Sequence, residues 1–223
     1  MVSGVALGVA LVVVVLGVAS EVALVVVALV AGIATAARAQ ATGMPSFNAP
    51  YPAFKRSELG AVFSFPDGGG NGFEGVYRVA TGGNLDVGFR LGLFDPSGSG
   101  NSVFLAGAEA RTRVIKHTAD FPLDGSIIFG AGAGLVKDGS TLFVPVGLSL
   151  GRRIEPQGTT IKIVPYVQPT FSFVAGEGRS SGVEFGFGLG ADFRLSPVLD
   201  ARISGGLGDR PLTGVSIAGV WVH

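Results

Sequence analysis

The sequence contains no cysteine and only two histidines among its 223 residues. The absence of cysteine excludes a disulfide framework and thiolate chemistry. Charge is also scarce, since charged residues make up 14% of the chain, and 16 Lys and Arg are matched by 16 Asp and Glu. Because neither sign is in excess, no basic surface indicates binding to nucleic acid. Outside the N-terminus, no apolar run is long enough for a membrane-spanning helix.

Hydrophobic residues and glycine are abundant instead. Hydrophobic residues make up 48% of the chain, the mean hydropathy is +0.54, and there are 37 glycines. This apolar composition excludes intrinsic disorder. The length fits one domain of ordinary size.

The stretch 182–195, GVEFGFGLGADFRL, shows the pattern that most of the chain follows. Its odd positions are all apolar, whereas its even positions are only glycine and charged residues. A period of two residues predicts a β-strand with two chemically opposite faces. At about 3.3 Å per residue the strand would be ~45 Å long, which suits a tilted crossing of a bilayer.

The same alternation recurs from residue 58 to the end, separated by clusters of turn residues. It predicts ten strands, with eight as the alternative because the first two are the weakest. The predicted strands are 58–65, 73–80, 84–94, 102–115, 125–136, 140–151, 159–174, 182–195, 198–208 and 212–222.

All ionisable residues of these strands fall on one face, and the other face is apolar and rich in aromatic residues. Glycine fills most of the charged face, so the bulky side chains fit better on the outside of a barrel than in its interior. A soluble, lipocalin-like barrel is the alternative, but such folds usually include a helix, and the sequence shows no helical period. The pattern therefore favours an all-β fold, a closed antiparallel up-and-down transmembrane β-barrel over 58–223.

The N-terminal 39 residues are almost wholly apolar and end in an A-x-A site after which a signal peptidase could cut, at Ala39. We expect residues 1–39 to be a cleaved signal peptide. A retained membrane helix is the alternative, because 2–20 is nearly long enough to span. Residues 40–57 contain three prolines and predict an irregular periplasmic lead-in.

Two hairpins are predicted to bring opposite charges together on the inner face. A three-residue turn at 81–83 and another at 196–198 each fix a register. The predicted pairs are Arg78 with Asp86, Glu74 with Arg90, Arg194 with Asp200, and Asp192 with Arg202. A lumen filled by such ion pairs is favoured over an ion-selective pore, which would show an excess of one sign.

Further charges are expected to line the lumen, and glycines on the same face are expected to leave room for long side chains. These charged residues are Glu58, Glu109, Arg111, Arg113, Lys162 and Glu184. The glycines are 130, 132, 134, 186, 188 and 190, and the side chains expected to reach across include Arg111, Arg113, Tyr166 and Phe143.

No constellation in the sequence indicates catalysis. Both histidines, His117 and His223, are predicted on the periplasmic side without a partner for general acid–base chemistry. No cluster has metal-ligand spacing. The alternating glycines at 130–134 and 186–190 lack the strand-to-helix context of a phosphate-binding loop. We expect no enzyme activity, no cofactor and no metal.

The last strand alternates Val215, Ile217 and Trp221 toward the C-terminal His223. With this strand, 58–223 resembles the small bacterial outer-membrane β-barrel proteins, of the OmpA-like and OmpW-like kind. The resemblance implies a C-terminal signal read by the barrel-insertion machinery, although members usually end in Phe where this chain has His223. It also implies a bacterial outer-membrane location.

We therefore expect a monomeric outer-membrane barrel with outer-membrane lipid and the insertion machinery as partners, and with a structural or surface-exposed role. A passive channel for small or apolar solutes, OmpW-like, is the alternative, and a lipid-modifying enzyme is disfavoured. The outward face is expected to contact lipid at Ala61, Phe89, Phe129, Leu148 and Phe187. Aromatic residues are expected at both interfaces, with Phe65, Phe73, Phe171, Phe173 and Phe185 at the loop-rich end and Phe193, Tyr77 and Trp221 at the other.

Overall fold

A computed structural model describes residues 41–50, 56–137, 139–158, 160–177, 179–208 and 213–223. The predicted signal peptide, residues 1–39, lies outside this part of the chain. The described residues contain no helix that is long and apolar enough to cross a membrane. They form ten strands: β1 (Glu58–Pro66), β2 (Gly70–Ala80), β3 (Leu85–Pro96), β4 (Val103–Ile115), β5 (Asp124–Val136), β6 (Gly139–Gly151), β7 (Lys162–Gly176), β8 (Arg179–Ser196), β9 (Leu199–Gly208) and β10 (Gly214–Val222).

The ten strands form a closed antiparallel barrel. Each strand pairs with its neighbours in sequence, and β1 pairs with β10 to complete the circle. The predicted fold class and strand number are confirmed. Observed strand ends lie within three residues of the predicted ones, because a period of two is a local signal that each strand carries by itself.

The two faces of the wall differ as the alternation predicts. On β3, Phe89 and Leu91 point outward and are 50% and 60% exposed, whereas Arg90 between them points inward and is buried. On β2, Glu74 is fully buried while its neighbour Phe73 is exposed. The wall is therefore apolar outside and carries its charges inside.

The two rims of the barrel carry different connections. β1 begins and β10 ends at one rim, here called the near rim, and the opposite one is called the far rim. The two longest connections, residues 116–123 and 152–161, both lie at the near rim. Our expectation that the far rim would be the loop-rich one was therefore wrong, because strands β7 and β8 extend further toward the far rim than their periodicity predicted.

Candidate functional site: the barrel lumen

Residues 41–50, here called the inner segment, lie inside the barrel, and all ten are buried. They form no strand, as the prolines predicted. The expectation that residues 40–57 lead in from the periplasm was wrong for this part of the chain. The physical reason is the hollow left by the glycines of the inner face, which an irregular stretch of chain can fill.

The inner segment runs through the lumen from the far-rim half toward the near-rim half. Met44 lies against Gly72, close to the far-rim end of β2, so that a Cβ on Gly72 would lie 2.9 Å from its sulfur. Further along, the carbonyl oxygen of Ala49 accepts a hydrogen bond from Arg111, in the near-rim half of β4. The segment therefore passes through the middle of the barrel.

Asn48 makes the largest set of polar contacts between the inner segment and the wall. Its side-chain amide donates to Glu109 Oε1 at 3.0 Å, and its Oδ1 accepts from Arg78 Nη2 at 3.3 Å. Its backbone N–H donates to Gln168 Oε1 at 3.1 Å, and its carbonyl oxygen accepts from Ser149 Oγ at 2.7 Å. Four strands thus hold one residue.

Two hydroxyl groups connect the inner segment to the charges of β2 and β3. Thr42 Oγ1 donates to Glu74 Oε1 at 2.6 Å, and Arg90 Nη1 donates to Ser46 Oγ at 2.6 Å. Hydrogen bonds to charged groups are the stronger ones in proteins. The segment is therefore held by specific contacts.

Phe47 anchors the inner segment on the opposite wall. Its ring lies against Gly188, where an added Cβ would overlap it. Tyr166 donates its hydroxyl to the Phe47 carbonyl oxygen at 2.9 Å, and the Phe47 N–H donates to Ser204 Oγ at 3.1 Å. The Phe47 ring therefore packs in a recess at Gly188, and two hydrogen bonds hold the Phe47 backbone.

The glycines of the inner wall have a role that the sequence indicated only in part. Gly190 makes room for Tyr166, as predicted, since an added Cβ would lie 2.6 Å from its hydroxyl oxygen. A Cβ on Gly107 or Gly130, however, would lie 3.1 or 3.2 Å from the Cβ of Ala41. Part of this space therefore holds the inner segment, and the surplus of inward glycines was the signal that could have revealed it.

The predicted ion pairs of the β8–β9 hairpin lie directly opposite one another. Asp192 is the ladder partner of Arg202 and Arg194 that of Asp200. Arg202 Nε lies 3.1 Å from Asp192 Oδ2, and Arg194 contacts both oxygens of Asp200. The predicted register and pairing agree with the structure here.

The β2–β3 hairpin has a different register from the predicted one. Arg78 lies opposite Gly88, and Asp86 lies opposite Ala80, because the connection 81–84 includes Asn84. Five residues, 81–85, separate the first ladder pair, Ala80 and Asp86, where a three-residue turn was predicted, so the expected direct opposition of Arg78 and Asp86 was wrong. The ion pair forms nevertheless, across the diagonal, with Arg78 Nη1 2.6 Å from Asp86 Oδ1.

The second pair of this hairpin behaves in the same way. Glu74 faces Gly92 in the ladder, not Arg90 as predicted. Arg90 Nη1 still lies 3.3 Å from Glu74 Oε2. A long guanidinium side chain reaches a diagonal partner that a register shift of two residues leaves on the same face.

Three of the additional lumen residues join these pairs into a network. Arg78 contacts Glu109 on β4, and Arg111 Nη2 lies 2.7 Å from Asp86 Oδ2. Arg202 Nη2 lies 2.8 Å from Glu58 Oε1, which extends the network across the β1–β10 seam. Opposite charges therefore surround each other through much of the lumen.

Two residues expected in the lumen lie at the near rim. Lys162 Nζ lies 3.1 Å from the exposed Glu155 Oε1, and Arg113 Nη2 donates to Asn84 Oδ1 at 2.9 Å. Both are on the inner face of the wall, opposite Ser126 and Arg194, and near strand ends, where their side chains reach polar groups of the connections. Glu184, on the inward face of β8, is half-buried.

His117 has a carboxylate neighbour that sequence spacing did not reveal. Its Nδ1 lies 3.0 Å from Asp124 Oδ2 in the exposed near-rim connection. The described residues contain no group of three or more His, Cys, Asp or Glu side chains that could hold a metal ion. The lumen is therefore the candidate site.

The residues of the predicted insertion signal line up on the outside of β10. Val215, Ile217 and Trp221 are exposed there, and the His223 ring stacks on Trp221 at a centroid distance of 4.9 Å. The aromatic groups separate by depth as predicted. Tyr77 and Trp221 both face Leu59, at the near rim, whereas Phe171 and Phe185 pair near the far rim.

Comparisons with known proteins find a similarity in structure. No family model matches the sequence, and no curated protein matches it. The chain is similar to the crystal structure of the β-domain of the Bordetella autotransporter BrkA, with a TM-score of 0.47 and 14% sequence identity. The similarity covers 75% of this chain and 98% of that one.

Proposed function

We propose that this chain is an integral barrel of the bacterial outer membrane with a structural or surface-exposed role and no catalytic activity. The observation that carries the proposal is the inverted wall, with exposed aromatic and aliphatic side chains outside and buried ion pairs inside. In water, an apolar surface of this extent would promote association. In a bilayer, a closed barrel satisfies its backbone hydrogen bonds and places the apolar face in lipid.

The aromatic residues support the same location. Phe63 and Phe73 pack at a centroid distance of 4.9 Å toward the far rim, as do Phe171 and Phe185. Tyr77 and Trp221 lie toward the near rim. Two aromatic belts separated along the barrel axis are typical of strands that cross a membrane.

The inner segment favours a structural role over a passive channel. It passes through the middle of the lumen and is bonded to the wall residues Glu74, Arg90, Glu109 and Gln168. A path for small or apolar solutes would have to pass the same space. The unmodified protein should therefore conduct poorly in planar bilayers, and a large steady conductance would favour the channel.

We propose outer-membrane lipid and the barrel-insertion machinery as partners of a monomeric barrel. The outward alternation of Val215, Ile217 and Trp221 on the last strand supports recognition by that machinery.

Site-specific quenching tests the membrane location. Because the chain lacks cysteine, single cysteines at Phe89 and Phe129 can carry a fluorophore on the outer wall. We expect quenchers attached to lipid chains to reach both sites, while a water-soluble quencher does not. A matched cysteine at Asp120, exposed in a near-rim connection, should show the opposite. Equal aqueous quenching at all three sites would contradict the membrane location.

A further inference from the structure

The barrel wall closes without help from the inner segment. All ten ladders join wall strands to wall strands, including the β1–β10 seam from Glu58↔Val222 to Pro66↔Gly214. Residues 41–50 belong to no strand. They are attached to the wall by side-chain hydrogen bonds and packing, so the segment can leave while every ladder stays intact.

The inner segment carries no charged residue, and the charges it touches have partners in the wall. Arg90 pairs with Glu74, and Arg78 pairs with Asp86 and Glu109. Removing the segment would therefore expose paired charges to water. It would not leave an isolated charge buried, which is the arrangement that destabilises a protein strongly.

The wall leaves room for the inner segment along its length. Glycines from four strands face it, namely Gly72, Gly107, Gly130 and Gly188. Without the segment, this glycine-lined and charged space would extend through the middle of the barrel. A polar path of that kind passes ions when water fills it.

We propose that the inner segment is a displaceable plug, and that its withdrawal converts the barrel into a pore for small inorganic ions. This inference rests on the proposed membrane location. Its central contacts are those of Phe47 with the Gly188 recess and of Asn48 with Glu109 and Arg78. The wall supplies the pore, and the segment closes it.

The test uses one protein in which the plug can be freed or locked. Phe47→Ala and Asn48→Ala remove the ring and the side-chain hydrogen bonds. Ala41→Cys and Gly107→Cys add a disulfide between segment and wall, since the two Cβ atoms would lie 3.1 Å apart, and a movement of roughly half an ångström brings them into the usual disulfide spacing of about 3.5–4.5 Å. All four changes leave the wall ladders in place.

We expect this quadruple variant to be silent when oxidised and to conduct potassium chloride steadily when reduced. Each tenfold rise in the open fraction corresponds to about 1.4 kcal/mol of lost contact energy. The matched control carries Phe47→Ala and Asn48→Ala with Ala106→Cys and Ala133→Cys, which are ladder partners in the wall. It should conduct equally in both redox states.

The two possible failures can be told apart by flotation with liposomes. A variant that inserts but stays silent when reduced, or conducts equally when oxidised, would overturn the plug and leave the membrane location standing. A protein that does not float with liposomes would overturn the membrane location and the plug together. Reversibility within one sample separates gating from a folding defect.

Discussion

The two charged hairpins, β2–β3 and β8–β9, carry the same pattern of opposite charges but pair them differently. In β8–β9 each charge faces its partner directly, as Arg194 faces Asp200. In β2–β3 the partners meet diagonally, because Asn84 and Leu85 both lie outside the ladder with β2 and shift it by two residues. Ion pairing therefore survives a register change that moves every ladder partner.

The diagonal arrangement also recruits a third strand. Asp86 is contacted by Arg78 on β2 and by Arg111 on β4, whereas Asp200 receives two hydrogen bonds from Arg194 and lies 3.9 Å from Arg202 on its own strand. Asp86 thus binds arginines of both neighbouring strands, while Asp200 binds an arginine of one neighbouring strand only. The next three experiments test this difference, from the largest expected effect to the smallest.

Removing Asp86 should be the most damaging change. Asp86→Ala leaves the guanidinium groups of Arg78 and Arg111 without this buried carboxylate, and breaking a buried pair costs about 3–5 kcal/mol. Asp200→Ala should lower the free energy of unfolding by less. Urea unfolding of the protein in lipid vesicles measures both. Asp95→Ala, at an exposed far-rim position, is the control and should change little.

An equal loss of unfolding free energy for Asp86→Ala and Asp200→Ala would show that the contact with β4 does not contribute to stability. The distinction between the two carboxylates would then be wrong.

Double-mutant cycles should distinguish the two hairpins by whether the double mutant is more or less stable than the single mutants. In β8–β9, replacing Arg194 and Asp200 together with alanine should cost less than Asp200→Ala alone, with a coupling of about 0.5–3 kcal/mol. In β2–β3, replacing both Arg78 and Asp86 should cost more than either single change, because Glu109 and Arg111 also lose partners. Additive losses in the β8–β9 cycle would mean that water already solvates those charges.

The smallest effect concerns the turn that sets the β2–β3 register. Gly82 has a φ of +78°, and an added Cβ would meet no atom within 4 Å. Gly82→Ala should therefore destabilise by about 1 kcal/mol through backbone strain alone. Gly83→Ala is a matched control, since it has the same open surroundings without the positive φ. Equal effects of the two changes would contradict the strain argument.

The strands and the facing of their side chains could be predicted from sequence because alternation is local. In each strand, such as β8, residues of the two faces alternate along the sequence, so the outward and inward faces can be identified. Pairing across β8–β9 followed from the short turn at Ser196. Pairing across β2–β3 did not, because whether Asn84 and Leu85 belong to the turn or pair with β2 is decided by backbone geometry that composition does not encode.

The inner segment could not be placed from its own sequence. An irregular stretch with Pro45 and Pro50 carries no period, and such stretches usually lie on the surface of a protein. Its position depends on contacts more than a hundred residues away, such as that of Phe47 with Ser204. Only the surplus of glycine on the inner face pointed to an occupant.

We expect the seam between β1 and β10 to be the last part of the wall to form. Glu58 to Pro66 find their partners in the last strand, so the wall stays an open sheet until that strand has been made. The inner segment precedes β1 in the chain and lies within the finished wall. Entry into or exit from a closed lumen requires the long guanidinium side chains to move aside. We therefore expect the segment to bind faster to the open sheet than to the closed wall, and closure of the seam to slow its later withdrawal.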